Sequence, residues 1–175
     1  LESDWPKYQN KEIKEELQEN IDRKFTIDDF SQYVPMAATY GLNLCGVKGK
    51  HGYGDLTIIL GTAYALMGVT VNVTKNLTKV ERPDGSARNS FPSGHTLASV
   101  IGAFVITATN RKFGLFAIPI AVLISFSRLY LYVHFPSDVL TSVVLGIGIG
   151  ALAVFTAKKA TNIFDGVKSR KLNRL

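Results

Sequence analysis

Four apolar segments dominate the chain beyond residue 50 and limit the folds that it can adopt. They span residues 55–74, 95–109, 113–132 and 137–157. Each is rich in Ala, Gly, Leu, Ile and Val, and none contains the Asn-Gly or Asp-Gly pairs that mark a β-hairpin. Three of them approach the roughly 20 residues that a helix needs to cross a bilayer. The pattern therefore predicts helices.

The expected fold class is all-α, a membrane-embedded bundle of about five to six helices with an active site at one end. A weaker apolar stretch at 33–47 predicts one more helix, and the small residues of the GIGIG stretch favour close helix contacts. A soluble, all-helical bundle with a large core is the alternative. Within a single domain, residues 31–157 form the expected core and residues 158–175 a basic tail.

Residues 1–30 are charged and lack the pattern of a cleavable leader. Ile13, Leu17 and Ile21 recur at intervals of four and predict a narrow apolar stripe on an amphipathic helix. This helix is expected either to pack on the body of the protein or to lie on a membrane surface. Thr26 is the expected N-cap of the next helix.

The net charge indicates which class of partner the chain favours, and the cysteine count limits disulfide formation. The 175 residues include 20 Lys and Arg against 14 Asp and Glu, a formal net charge of +6. This excess favours an anionic partner, such as phosphate, anionic lipid or nucleic acid, and composition does not choose among them. The single cysteine, Cys45, excludes an intrachain disulfide and is expected to be a small buried hydrophobe.

If the four segments run antiparallel, the loops 75–94 and 128–137 lie at the same end of the bundle. The stretch Asn-Arg-Lys at 110–112 and the basic tail then lie at the opposite end. Basic residues mark the cytoplasmic side of membrane proteins, so the first two loops are expected to face away from the cytoplasm.

These two loops carry chemically unusual residues for so apolar a chain. Lys75, Arg82 and Arg128 are three cations that together could bind the oxygens of a phosphoryl group during its transfer. Taken singly, each is an ordinary charge in a loop or at a membrane interface. Two histidines, His95 and His134, supply a nucleophile and a proton donor. An aspartate near one of them would fix its tautomer.

Two similar helix starts, Phe-Pro-Ser at 91–93 and at 135–137, frame the same region. Capping explains Ser137 and is one interpretation of Ser93 and Asp138. At Ser93 and Gly94 a second interpretation competes, because a helix N-terminus with a glycine is an anion site. The chain has neither an HExxH motif nor clustered carboxylates, so no metal is expected.

The motifs resemble those of the type 2 phosphatidic acid phosphatases, or lipid phosphate phosphatases. That family has the signature K-x6-R-P, P-S-G-H and S-R-x5-H-x3-D. Every fixed position and both internal spacings are matched here by Lys75, Arg82 and Pro83, by Pro92, Ser93, Gly94 and His95, and by Ser127, Arg128, His134 and Asp138.

The resemblance implies a role for each of these residues. His134 is implied to be the nucleophile that forms a phosphohistidine, with Asp138 orienting it and His95 as general acid and then general base. The phosphate oxygens are implied to be bound by Lys75, Arg82, Ser93, Gly94 and Arg128. Members usually have six membrane spans, so one initial span is missing from this pattern. No cofactor is implied.

The function expected from these features is metal-independent hydrolysis of a phosphate monoester or pyrophosphate of a membrane lipid, at the outer face of a cell membrane. The expected partners are a phosphorylated lipid substrate and the membrane, without nucleic acid. The resemblance also covers soluble acid phosphatases acting on small esters and the generally much longer haloperoxidases. A non-catalytic lipid- or anion-binding membrane protein is the alternative from another class.

Overall fold

The computed structural model describes residues 30–47 and 49–172, with side chains described to Lys159. Within this part of the chain there are five helices and no strand, which confirms the all-α prediction. The amphipathic stripe and the Thr26 cap predicted for the N-terminal segment lie outside the described residues. The helices are α1 Val34–Leu44, α2 Tyr53–Thr78, α3 Gly94–Thr109, α4 Arg111–Tyr130 and α5 Pro136–Leu172.

Polar side chains set the starts of α3 and α4. The Ser93 hydroxyl accepts a hydrogen bond from the Thr96 backbone N–H at 3.5 Å, so Ser93 is the N-cap of α3. The Asn110 side chain accepts from the Lys112 N–H at 3.1 Å, and the same residue both ends α3 and begins α4. A single residue separates the two helices, and because α4 packs back along α3 the chain reverses direction at Asn110.

The start of α5 differs from the prediction made for Ser137. The helix begins at Pro136, so Ser137 lies inside its first turn and is not the N-cap. The carboxylate of Asp138 instead accepts a hydrogen bond from the Phe135 N–H at 2.9 Å. Proline suits the first helical position because its missing N–H has no partner there in any helix.

The central helix is α3, which packs against all four other helices. Its buried Leu97, Ile101 and Val105 form a continuous apolar core with residues from its neighbours, among them Leu56 of α2 and Ala153 of α5. A helix enclosed in this way need not span the bilayer by itself. This position explains how the shortest of the four predicted segments is accommodated.

Glycines allow α5 to approach α3 closely. A Cβ added at Gly146 would lie 2.8 Å from the Val100 side chain, and one added at Gly150 would lie 2.8 Å from Phe104. A Cβ at Gly148 would meet no atom within 4 Å. The close contact predicted for the GIGIG stretch is therefore confirmed, and it is made by the two glycines four residues apart, which share one helix face.

Three helices are long and apolar enough to cross a membrane: α2, α4 and the part of α5 that spans Pro136–Lys159. Large apolar side chains of α4, including Leu115, Leu123 and Phe126, are exposed on its outer surface. Such a continuous apolar exterior is stable in lipid and not in water. These features indicate a membrane protein.

Two further predictions need correction. Cys45 is exposed after the end of α1 and is not a buried hydrophobe. The last helix does not stop with the apolar segment at residue 157, because α5 continues into the basic tail as far as Leu172. The apolar pattern detects the part of a helix that is buried in protein or lipid, and it misses a helix that continues into a polar environment.

Candidate active site

Four of the predicted site residues lie on helix turns at the same end of the bundle. Lys75 is in the last turn of α2 and His95 in the first turn of α3. Arg128 is in the last turn of α4, and Asp138 is in the first turn of α5. Because successive helices alternate in direction, these turns face the same side. The two loops that connect them, 79–93 and 131–135, complete the site.

A buried cluster joins these two loops. The Nδ1 atom of His134 lies 3.6 Å from Oδ2 of Asp138, one helical turn further along the chain. The Ser90 hydroxyl donates a short hydrogen bond to the same Oδ2 atom, and its Oγ lies 3.5 Å from His134 Nδ1. All three residues are nearly inaccessible, with exposures of 5% for His134, 2% for Asp138 and 0% for Ser90. The prediction that the two loops share one end of the bundle is confirmed.

The surroundings of His134 favour its neutral form. Burial lowers the pKa of its imidazole from 6.5 to about 4, and the charges of Arg82 and Lys75 act in the same direction. The charge of Asp138 and a backbone hydrogen bond with Ser90 oppose this decrease in pKa. At neutral pH the ring therefore keeps a free lone pair on one nitrogen. The same electrostatic contacts show that Arg82, Lys75 and Asp138 all lie near this ring.

Arg82 is held by the loop between α2 and α3. Its backbone N–H donates to the Ala87 carbonyl at 2.9 Å, and its Nε donates to Oδ1 of Asn89 at 2.8 Å. Gly85, at φ +71°, lies in the turn between Arg82 and Ala87. The hydrogen bond to Asn89 uses Nε of Arg82, and guanidinium groups bind phosphate oxygens.

Arg128 and Lys75 supply two further cations at helix ends. Arg128 is buried, with 6% exposure, and its Nε donates to the neighbouring Ser127 hydroxyl at 3.3 Å. Lys75 is half-buried in the last turn of α2. Together with Arg82, these two side chains place three cations at one end of the bundle, and this excess of positive charge favours an anionic ligand there.

The start of α3 combines a cap with a helix N-terminus. The Ser93 side chain is fully buried, and its hydroxyl donates to Oγ1 of Thr96 at 3.0 Å besides capping the helix. Gly94 and His95 follow and are half-buried. The capping interpretation of Ser93 is thus confirmed, while its predicted contact with phosphate stays a prediction.

Sequence reasoning missed the contacts of Ser90 with His134 and Asp138 and the contact of Asn89 with Arg82. Neither residue belongs to the three motifs. Ser90 contacts residues that are distant in sequence, and Asn89 contacts Arg82 across a turn of the same loop. The only local signal was their position directly before the Phe-Pro-Ser helix start. In the part of the chain that the structure describes, no group of three or more His, Cys, Asp or Glu residues is placed to bind a metal.

Comparison with known proteins gives a consistent result. Residues 56–162 match the family model described as the PAP2 superfamily. A lipid A 1-phosphatase from Porphyromonas gingivalis is 34% identical over 131 residues, which are 72% of this chain and 29% of that protein. An undecaprenyl-diphosphatase from Sulfolobus acidocaldarius is 42% identical over 66 residues, 37% of this chain and 32% of the relative. The aligned part thus spans only about a third of each of these curated relatives.

Two solved structures share the fold. The crystal structure of Aquifex aeolicus LpxE superposes with a TM-score of 0.58 at 22% identity, covering 82% of this chain and 93% of the other. A transmembrane PAP2-type phosphatidylglycerolphosphate phosphatase from Bacillus subtilis gives a TM-score of 0.51 at 20% identity, covering 90% and 89%. The family match covers more than half of the sequence and includes all three motifs, and the chain therefore belongs to the PAP2 superfamily.

Proposed function

We propose that this chain is a metal-independent phosphatase that removes a phosphate group from a membrane lipid through a phosphohistidine intermediate. The observation that carries the proposal is the buried cluster of His134 and Asp138, which lies beside the cations Arg82 and Lys75 at one end of a membrane-embedded bundle. A neutral imidazole surrounded by cations attracts a phosphate and is also able to attack it.

The first chemical step transfers the phosphoryl group to His134. Asp138 and Ser90 both lie on the Nδ1 side of the ring, which favours the tautomer that carries its proton on Nδ1. The lone pair of Nε2 then attacks phosphorus, and the bond from phosphorus to the leaving oxygen breaks. His95 donates a proton to that oxygen, so the lipid leaves as a neutral alcohol, or as a lipid phosphate where the substrate is a pyrophosphate.

The second step releases inorganic phosphate. His95, now neutral, accepts a proton from a water molecule whose oxygen attacks phosphorus. The bond from phosphorus to Nε2 breaks, and its electron pair returns to His134. Throughout both steps Lys75, Arg82 and Arg128 balance the negative charge of the phosphoryl oxygens. Both histidines end in their starting protonation states.

The membrane features support a lipid substrate and an orientation. The relatives are named for phosphatases of lipid A and of undecaprenyl diphosphate, and an exposed apolar exterior places the chain within a bilayer. Exposed Arg111, Lys112, Lys158 and Lys159 lie at the end opposite the site. By the positive-inside rule that end faces the cytoplasm, so the site faces the outer side.

The test is release of inorganic phosphate from a panel of lipid and water-soluble phosphates, with the protein in detergent. We expect lipid phosphates to be preferred, activity to persist in EDTA, and His134→Ala to lose turnover by at least about 1,000-fold, as for other nucleophile deletions. His51→Ala is the matched control because His51 lies at the opposite end of α2, and it should keep wild-type activity.

Three results would contradict the proposal. Full activity of His134→Ala would remove the nucleophile assignment, and loss of activity in EDTA that returns with added metal would remove the metal-free mechanism. Preference for small soluble esters would replace the lipid substrate. Acid-labile and base-stable label on the wild-type protein after rapid quenching with labelled substrate would support the phosphohistidine directly.

A further inference from the structure

The geometry points to Ser90 as a positioning residue that connects Asp138 to the nucleophile His134. This inference rests on the proposed function, since it assigns to Ser90 a part in supporting the same imidazole. Ser90 belongs to none of the three motifs and is contributed by a loop 44 residues before His134. Its side chain is completely buried between the two loops of the site.

Distances indicate that the aspartate does not hold the histidine alone. His134 Nδ1 lies 3.6 Å from Oδ2 of Asp138 and 3.5 Å from Oγ of Ser90, both longer than the usual N–H···O distance of about 3.0 Å, so the ring nitrogen faces both oxygens and is not held by the carboxylate alone. The Ser90 hydroxyl donates a short hydrogen bond to that Oδ2 atom and so joins the two oxygens. A hydroxyl can accept one hydrogen bond while it donates another, so Ser90 can connect the two groups with only one direction of hydrogen bonding.

The resulting order of donors is fixed by chemistry. Asp138 is an acceptor, so the Ser90 hydroxyl donates its hydrogen to the carboxylate. The Ser90 oxygen then presents its lone pairs to the Nδ1–H of His134. This arrangement keeps the proton on Nδ1 and leaves Nε2 free to attack phosphorus. No proton moves along the chain of hydrogen bonds, and the Ser90 oxygen remains a hydroxyl throughout.

The hydrogen bond from Nδ1 of His134 to Ser90 becomes stronger as the reaction proceeds. When phosphorus bonds to Nε2, the imidazole becomes cationic and its Nδ1–H becomes a stronger donor. Hydrogen bonds that involve an ionised group are roughly twice as strong as neutral ones. The Ser90 hydroxyl, polarised by the carboxylate, therefore stabilises the phosphohistidine and the transition state before it more than the free enzyme. Its loss should reduce kcat and leave substrate binding largely unchanged.

The loop holds Ser90 firmly in this position. Its backbone N–H donates to the Val80 carbonyl at 2.9 Å, and its backbone carbonyl lies near enough to the His134 imidazole to oppose the decrease in the pKa of that ring. The same loop carries Arg82, whose Nε is held by Asn89. One loop thus positions a phosphate-binding cation and the support of the nucleophile together.

A double-mutant cycle tests the connection, with phosphate release measured for Ser90→Ala, Asp138→Asn and the double variant. Loss of one hydrogen bond to a charged group should lower kcat of Ser90→Ala by about 10- to 100-fold, with KM close to wild type. In the Asp138→Asn background the same substitution should cause little further loss, because the connection is already broken. Ser99→Ala, another fully buried serine whose hydroxyl bonds a carbonyl, is the matched control and should keep wild-type kcat.

The outcomes separate this inference from the proposed function. If the wild type is active and His134→Ala is inactive, but Ser90→Ala behaves like Ser99→Ala, Ser90 has no such role. Strictly multiplicative losses in the cycle would also overturn the connection. If Ser90→Ala does not fold, Ser90→Cys keeps the volume with a weak hydrogen-bonding group, and a wild-type kcat in that variant would overturn the inference. An inactive wild type would instead refute the proposed function.

Discussion

Asn89 lies outside the three motifs but contacts Arg82, which belongs to the first of them. Its side-chain oxygen accepts a hydrogen bond from Nε of Arg82 at 2.8 Å and so orients the guanidinium. We predict that Asn89→Ala raises KM about 5- to 10-fold while kcat changes little, since one hydrogen bond that positions a binding group is lost. The measurement is steady-state phosphate release over a range of substrate concentrations.

The control for this prediction is Arg88→Ala, the exposed neighbouring residue. A similar rise in KM in both variants would show that loop charge or loop stability, and not the orientation of Arg82, controls binding. A large fall in kcat in Asn89→Ala would place Asn89 in the chemical step instead.

At the level of single residues, the sequence was most informative where a motif has fixed spacing. Lys75, Arg82, His134 and Asp138, which the motifs single out, share an electrostatic environment. Ser90 could not be found in this way, because its contact with Asp138 forms only when two loops meet. The cap of α5 was also misassigned: Pro136 starts the helix two residues earlier than a cap at Ser137 requires.

Among the helices, the contact between α3 and α5 makes the sharpest prediction. A methyl group at Gly146 would lie 2.8 Å from Cγ1 of Val100 and 3.3 Å from the Leu97 carbonyl, whereas one at Gly148 meets nothing within 4 Å. Overpacking of this kind costs about 1–3 kcal/mol. We expect Gly146→Ala to lower the thermal unfolding midpoint in detergent.

Gly148→Ala is the matched control, two residues away on the same helix. It should leave the midpoint unchanged or raise it slightly, because alanine favours helices more than glycine does. Equal destabilisation by both substitutions would mean that helix α5 tolerates no methyl group anywhere in this stretch, and that the contact with Val100 is not the cause.

Helix boundaries follow from the sequence only as far as apolarity lasts. The predicted segments 55–74 and 113–132 agree within a few residues with α2 and α4. The end of α5 was missed by fifteen residues, from 157 to Leu172, because a helix beyond the membrane no longer needs apolar side chains. The neighbours of α3 also could not be derived, since packing partners depend on the whole bundle.

For the molecule as a whole, burial of His134 connects folding stability to pH. An unfolded histidine has a pKa near 6.5, whereas the folded ring has a pKa of about 4. Between these values the unfolded chain binds one more proton, so acid favours unfolding. The stability due to the neutral ring is complete above pH 6.5, decreases as the pH falls and levels off below pH 4.

The measurement is the thermal unfolding midpoint in detergent from pH 7 to pH 4, compared with His134→Gln. The wild type should lose more stability over this range than the variant, which has no titrating ring at this position. Parallel curves would show that the ring is protonated equally easily in both states and would contradict the low pKa of His134.

The brevity of α3 has a consequence for how the products separate. Its 16 residues rise about 24 Å, less than the roughly 30 Å hydrocarbon thickness of a bilayer. Under the proposed function, the site at the start of α3 would therefore lie close to the boundary between lipid and water. The dephosphorylated lipid would then diffuse sideways in its leaflet while the phosphate leaves into the aqueous phase, so that neither product would block the path of the other.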